Sequence, residues 1–221
     1  MLPNFVPAGT SGESFFERVL PDAHRSQVPA DASAGEYVVR VCIANRHPED
    51  DRTDEIDLVA SYLYTIHGRE ISATKASGAD MPRVHLSLVV DQAALDFFLA
   101  DWSGPRRFAP SFVPAQGVQL ITDPRVLKRL AQATGRIELR LADFEGGDAR
   151  LLVSAAGGRK HALDTYTADA TIETKVTIFE ELLAGRLRPD EAIADAHVTV
   201  RGKKLVAMQF AFALAPFFPG R

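Results

Sequence analysis

Between Leu205 and Phe218 this chain has a single polar residue, Gln209. The run Leu205-Val-Ala-Met208-Gln-Phe210-Ala-Phe212-Ala-Leu214-Ala-Pro-Phe217-Phe218 reads as a helix that is apolar on nearly every side. A helix on the surface of a globular domain normally carries one apolar stripe and one polar face. Exposing half of these large side chains would lose about 1.5–3 kcal/mol for each one left in water. The helix is therefore expected to be covered twice. Its own sheet takes one side, and another domain, a protomer or an apolar ligand takes the other.

The rest of the composition is ordinary. Across 221 residues, 46% are hydrophobic and 24% charged, which suits a globular protein of one large or two small domains. A net charge of -4 argues against a nucleic-acid partner, whose usual footprint is a basic face. Cys42 is the only cysteine, which excludes an intrachain disulfide and a cysteine-based zinc site. The start, Met1 to Gly12, has no cationic leader followed by an apolar run, and no window reaches the ~18 apolar residues of a membrane span. A soluble, cytoplasmic protein without stable membrane insertion is expected.

Periodicity gives an order of elements. Arg136 to Asp143 alternates Ile137, Leu139 and Leu141 with polar partners, the signature of a half-buried strand. Glu145-Gly-Gly-Asp148 turns it into Ala149 to Ser154, and His161 to Tyr166 reads as a weaker third strand. Thr171 to Lys175 is a strand with Ile172 inward. Thr177-Ile-Phe-Glu180 reads as a capping box opening a helix that stops at Gly185. A short helix from Pro189, a strand at Val198 to Val200, a turn at Arg201 to Lys204 and the apolar helix complete the unit.

The first half has a similar order. Tyr37 to Ile43 is strand-like, Val84 to Leu88 alternates, and Asp91 caps a helix carrying Phe97. Val118-Gln-Leu120 is a short strand, followed by Asp123-Pro124 as an N-cap with proline at the first helical position. Residues 56–66 fit strand and helix alike; the repeat favours a strand paired with Ile71 to Thr74 across His67-Gly68. Ser14 to Leu20 reads as a lead-in helix ended by Pro21.

The stretch Ala168 to Ile193, with its Leu182-Leu-Ala-Gly-Arg-Leu-Arg-Pro189 phrase, followed by Val198-Thr-Val-Arg-Gly-Lys-Lys-Leu205, resembles the sterol carrier protein lipid-binding fold. The resemblance covers residues 136–215, and Val118 to Leu130 looks similar to the family's ending in the first half. It implies an α+β fold of two tandem sterol-carrier-like units, each a small mixed sheet covered by helices, arranged as a pseudo-dimer. Their bounds are a 1–28 arm with a short helix, a divergent unit over 29–135, and a unit over 136–221. It further implies an apolar tunnel between a five-stranded sheet and its helices, holding a fatty acyl chain, sterol or similar lipid. The final Phe217-Phe-Pro-Gly-Arg221 lacks the peroxisomal Ser-Lys-Leu address, so the eukaryotic transport role is not implied.

Little in the sequence carries chemistry. There is no phosphate-cradling glycine loop, no paired-histidine metal motif and no Gly-x-Ser-x-Gly elbow. Neither a cofactor nor a metal is implied. The proline-rich loop from Asp101 to Pro114 carries Trp102, Phe108 and Phe112 beside Arg106 and Arg107. It reads either as a plug between the units or as a lid whose arginine meets a carboxylate or phosphate headgroup. The pocket itself is assigned to Phe97, Phe179, Leu183, Val200, Met208 and Phe212. Binding or transfer of a hydrophobic small molecule (a lipid, isoprenoid or acyl derivative) is the leading function. An accessory or interaction module serving an enzyme complex, docked through the terminal helix to a protein partner or a second copy, is the alternative. A small enzyme drawing on Tyr62, Tyr64, His67 and the two arginines stays open beside them.

Overall fold

Strands from the two halves of the chain join in one sheet. The computed structural model describes residues 6–28, 35–45, 56–76, 84–103, 123–143, 148–155, 167–183 and 185–214. Among them the strands are β1 (Glu36–Asn45), β2 (Asp57–His67), β3 (Glu70–Lys75), β4 (Leu86–Asp91), β5 (Gly135–Ala142), β6 (Ala149–Ala155), β7 (Ala170–Lys175) and β8 (Val198–Gly202). The helices are α1 (Gly12–Ser14), a π-helical turn at Phe15–Val19, α2 (Leu20–Gln27), α3 (Gln92–Ser103), α4 (Pro124–Leu130), α5 (Val176–Leu183), α6 (Pro189–Ala194) and α7 (Lys204–Leu214). The architecture is mixed α+β. The weak third strand at His161–Tyr166, the Val118–Leu120 strand and the Glu145-Gly-Gly turn lie outside the described residues.

The eight strands form one sheet in the order β3-β2-β1-β4-β6-β5-β7-β8. The first strand of each half pairs antiparallel with its hairpin partner and parallel with a later strand, β1 with β2 and β4, β5 with β6 and β7. Expected as two small sheets, the halves are instead joined along β4 and β6, where Leu86–Val90 run antiparallel to Ala155–Leu151. Residues 56–66, ambiguous by periodicity, resolve as β2, with Tyr62, Tyr64 and Ile66 buried on one face. Tertiary burial of that alternating face decides between the two readings.

One face of the sheet carries the helices. Val39, Val41 and Ile43 of β1, Leu86 and Leu88 of β4, Ile137, Ala155 and Ala170 share a core with Leu95 and Leu99 of α3. Val126, Leu127 and Leu130 of α4 and Ala207, Phe210 and Ala213 of α7 complete it. The opposite face has a small cluster of Cys42, Ala44, Val89 and Leu152 beside buried polar side chains. There Arg40 Nε donates to Ser61 Oγ at 2.8 Å, and Arg140 and Arg150 both bridge to the buried carboxylate of Glu138.

Two local expectations change. Pro21 does not end the lead-in helix; it sits in the first turn of α2. The π-helical turn before it makes this possible, with Leu20 N–H donating to Phe15 O. Continued in that register, residue 21 would donate to Phe16 O, and proline has no N–H to give. Tyr64 Oη donates to Phe16 O at 2.7 Å instead, so the orphaned carbonyl is satisfied from the sheet. Thr177 does not open a capping box: α5 follows β7 directly from Val176, and the Thr177 side chain is exposed inside the first turn. The helix does stop at Gly185, whose φ of 68° suits a residue without a Cβ.

Candidate functional site

On the helix-side face from β4 to β8 the strands are not completely covered. Pairing aligns Val90 with Leu151, Leu151 with Leu139, Leu139 with Ile172, and Ile172 with Val200. These five aliphatic side chains form one row across β4, β6, β5, β7 and β8, and each is only half-buried. At the usual spacing of neighbouring strands the row is about 19 Å long. The flanking row on one side, with Ile137 and Ala170, is buried beneath the core shared with α7. On the other side Leu141 and Ala149 are buried against Ala94 and Val176. The half-exposed row therefore runs between two packed clusters, with Phe179 of α5 along one border and Val206 of α7 along the other.

Asp169 fixes the α7 border. Its Oδ2 accepts from Arg136 N–H at 2.9 Å, its Oδ1 from Lys203 Nζ at 2.7 Å, and its carbonyl from Lys203 N–H at 2.7 Å. The Lys203 ammonium, with the Arg136 amide, holds this carboxyl below the usual range. Gly202, at φ 81°, brings the backbone so close that an added Cβ would lie 2.4 Å from Asp169 O. The turn into α7 is thereby pinned to the start of β7.

Of the residues expected to form a pocket, Phe179 and Val200 border or floor this row. Met208 and Phe212 do not. They stand 53% and 68% exposed on the outward side of α7, with Leu205 at 69%, while Ala207, Phe210 and Ala213 point to the sheet. A 100° step per residue places 205, 208 and 212 together and opposite 207, 210 and 213, so a helix apolar all round cannot by itself announce which side is inward. The second cover expected over this helix is not supplied by the described residues. The side chains of Phe97, Trp102 and Leu183 lie outside the described residues, although their backbones belong to α3 and α5; Arg106, Phe108 and Phe112 lie outside altogether. Val90, Leu139, Leu151 and Ile172 were not singled out as site residues. Alternation marks their faces, but only strand register reveals that they line up.

Of the polar groups considered for chemistry, Tyr64 has its hydroxyl committed to Phe16 O. Tyr62 and Tyr64 are buried beneath the N-terminal helices, and burial raises both phenols above their ordinary range. His67 is exposed at the end of β2. His85 Nδ1 accepts from Val38 N–H at 3.0 Å. Burial pushes the Cys42 thiol up, away from a reactive thiolate. Among the described residues no group of three or more His, Cys, Asp or Glu is placed to hold a metal ion, and no helix is long and apolar enough to cross a membrane.

Four of the five row residues (all but Val90), both bordering helices and the strand-turn-helix ending fall within a segment that resembles known proteins. Residues 118–215 match the SCP-2 sterol transfer family. Similar solved structures include sterol carrier protein 2 like 2 from Aedes aegypti, at 12% identity over 39% of this chain and 91% of that one, with a TM-score of 0.31. Sterol carrier protein 2 from Yarrowia lipolytica, in its apo form, is 15% identical over 43% and 78%, with a TM-score of 0.31. A ubiquinone synthesis protein described as UbiJ-SCP2 is 19% identical over 42% and 76%, with a TM-score of 0.30. Structural likenesses this slight carry no argument about ligand or partner. No curated protein matches the chain.

Proposed function

We propose that this chain binds and carries a hydrophobic small molecule, a lipid, isoprenoid or acyl derivative, laid along the aliphatic row between α5 and α7. The observation that carries the reading is the row itself: Val90, Leu151, Leu139, Ile172 and Val200, in register and only half-buried. Apolar area left in water forgoes about 25 cal/mol per Å², and an elongated apolar ligand recovers it. The match of residues 118–215 to the SCP-2 sterol transfer family supports a lipid as that ligand. We also read the chain as two tandem units, since β2-β1-β4 and β6-β5-β7 share order and direction and each parallel strand runs straight into a helix.

Titration with a fluorescent fatty acid, together with native mass spectrometry of the protein as purified, tests this. Ile172→Trp fills the middle of the row from a half-buried position; we expect binding to weaken at least about tenfold, with little change in unfolding midpoint. Wild-type protein that binds no apolar probe and carries no lipid would sink the reading. A docking module is the second reading, favoured by the outward Leu205, Met208 and Phe212. An empty chain that gains mass only with a protein partner would establish it.

A further inference from the structure

The outward side of α7 is continuous with that of α4. Both helices lie on the same face of the sheet, and both bury residues in the same core, Val126, Leu127 and Leu130 from one, Ala207, Phe210 and Ala213 from the other. Arg129 of α4 donates to Phe212 O of α7 at 3.0 Å, tying the two side by side. Their remaining faces therefore point the same way. From α7 that surface receives Leu205, Met208 and Phe212, spaced one turn apart and more than half exposed. From α4 and the start of α7 it receives Lys128, Arg129 and Lys204, all exposed and, among the described residues, without an ion pair. Arg125, by contrast, is neutralised by Asp123, and Lys203 by Asp169. In a chain of net charge -4, three exposed cations thus stand beside three exposed apolar side chains on one surface.

We infer that this α4–α7 surface docks on an anionic bilayer. Protein interfaces are depleted of lysine, whereas membrane surfaces rich in acidic lipids attract it, and long basic side chains reach headgroups while neighbouring apolar ones enter the acyl boundary. A helix of eleven residues lies about 16 Å long in that plane, far too short to span it. The surface adjoins the aliphatic row through Val206, so docking places the row's α7 border against the source or destination of the ligand. That purpose rests on the lipid-binding reading; the docking geometry does not.

Co-sedimentation of the full chain with vesicles decides the matter. Phosphatidylcholine vesicles with phosphatidylglycerol added should pull the protein down, pure phosphatidylcholine vesicles should do so far less, and high salt should abolish the difference. Lys128→Ala with Lys204→Ala should lower partitioning about twenty-five-fold, about fivefold for each lysine. Leu205→Glu should lower it at least about tenfold, while fatty-acid titration without vesicles stays unchanged for all variants. A failed row therefore shows in the titration, and a failed surface in the sedimentation. No binding to acidic vesicles, or binding indifferent to both variants, overturns the proposal. So does a wild type that is dimeric in solution and made monomeric by Leu205→Glu without ever sedimenting, because the face would then be a self-interface.

Discussion

Gly202 and His24 show how single atoms hold the two ends of the sheet's frame. At Gly202 an alanine must adopt φ near 81° and press its Cβ against Asp169 O. Left-handed backbone at a non-glycine residue costs about 1–3 kcal/mol on its own, so Gly202→Ala should lose at least about 2 kcal/mol in urea denaturation. A loss near zero would mean that the β8–α7 turn is loosely held. His24 is fully buried, and its Nε2–H donates to Gly68 O at 2.9 Å. Burial, with the nearby Arg25 charge, lowers its pKa below the ordinary 6.5, while the Gly68 bond opposes that shift. The ring is thus neutral in the fold but free to protonate once unfolded. The unfolded chain then binds the extra proton, so stability is complete above about pH 6.5 and declines as pH falls below it. His24→Gln keeps an amide donor for Gly68 O and removes the titration. Comparing unfolding free energies at pH 7.5 and pH 5.5 should show a smaller pH loss in that variant than in the wild type; equal losses would place the acid sensitivity elsewhere.

Among the elements, α7 divides most sharply into two sides. Phe210 is 2% exposed and Phe212 is 68% exposed, two positions apart on one helix. Truncating the first should cost about 3–5 kcal/mol, and truncating the second under about 1 kcal/mol, both read by chemical denaturation. Comparable losses would mean that the outward face is packed. Composition led to the expectation of a second cover that the described residues do not supply, and with apolar residues on every side the helix carried no stripe to orient it. Elsewhere several elements were legible from local chemistry, although the Thr177 capping box was not. Strand-like composition marked β1 and alternation marked β5, Asp123 caps α4 through Arg125 N–H at 2.8 Å, and Gly185 closes α5. Legibility ended where distant partners decide. Pro21 is absorbed by a π-helical turn that Tyr64 completes from 48 positions away. Leu139 and Ile172 looked like ordinary inward strand residues until their parallel pairing set them beside each other.

At the scale of the whole molecule, the seam between β4 and β6 is the feature that no local pattern announced. It converts the two halves into one sheet, and it hides a strand edge that each half would otherwise expose. Residues 135–221 produced alone should therefore self-associate through β6, visible as dimers or larger species in sedimentation equilibrium. A stable monomer would show that the seam is dispensable to the second half. The same seam has a consequence in time. Val41 pairs with Leu88, 47 positions away, and Leu88 pairs with Val153 a further 65 along the chain. Contacts of such long range close slowly. On a ribosome adding ~5–20 residues per second, the open side of β4 waits roughly 3–13 s before β6 has even been synthesised. Throughout that interval each newborn chain presents a bare strand to its neighbours on the same message, and crowding during translation becomes the point at which this fold is most easily lost.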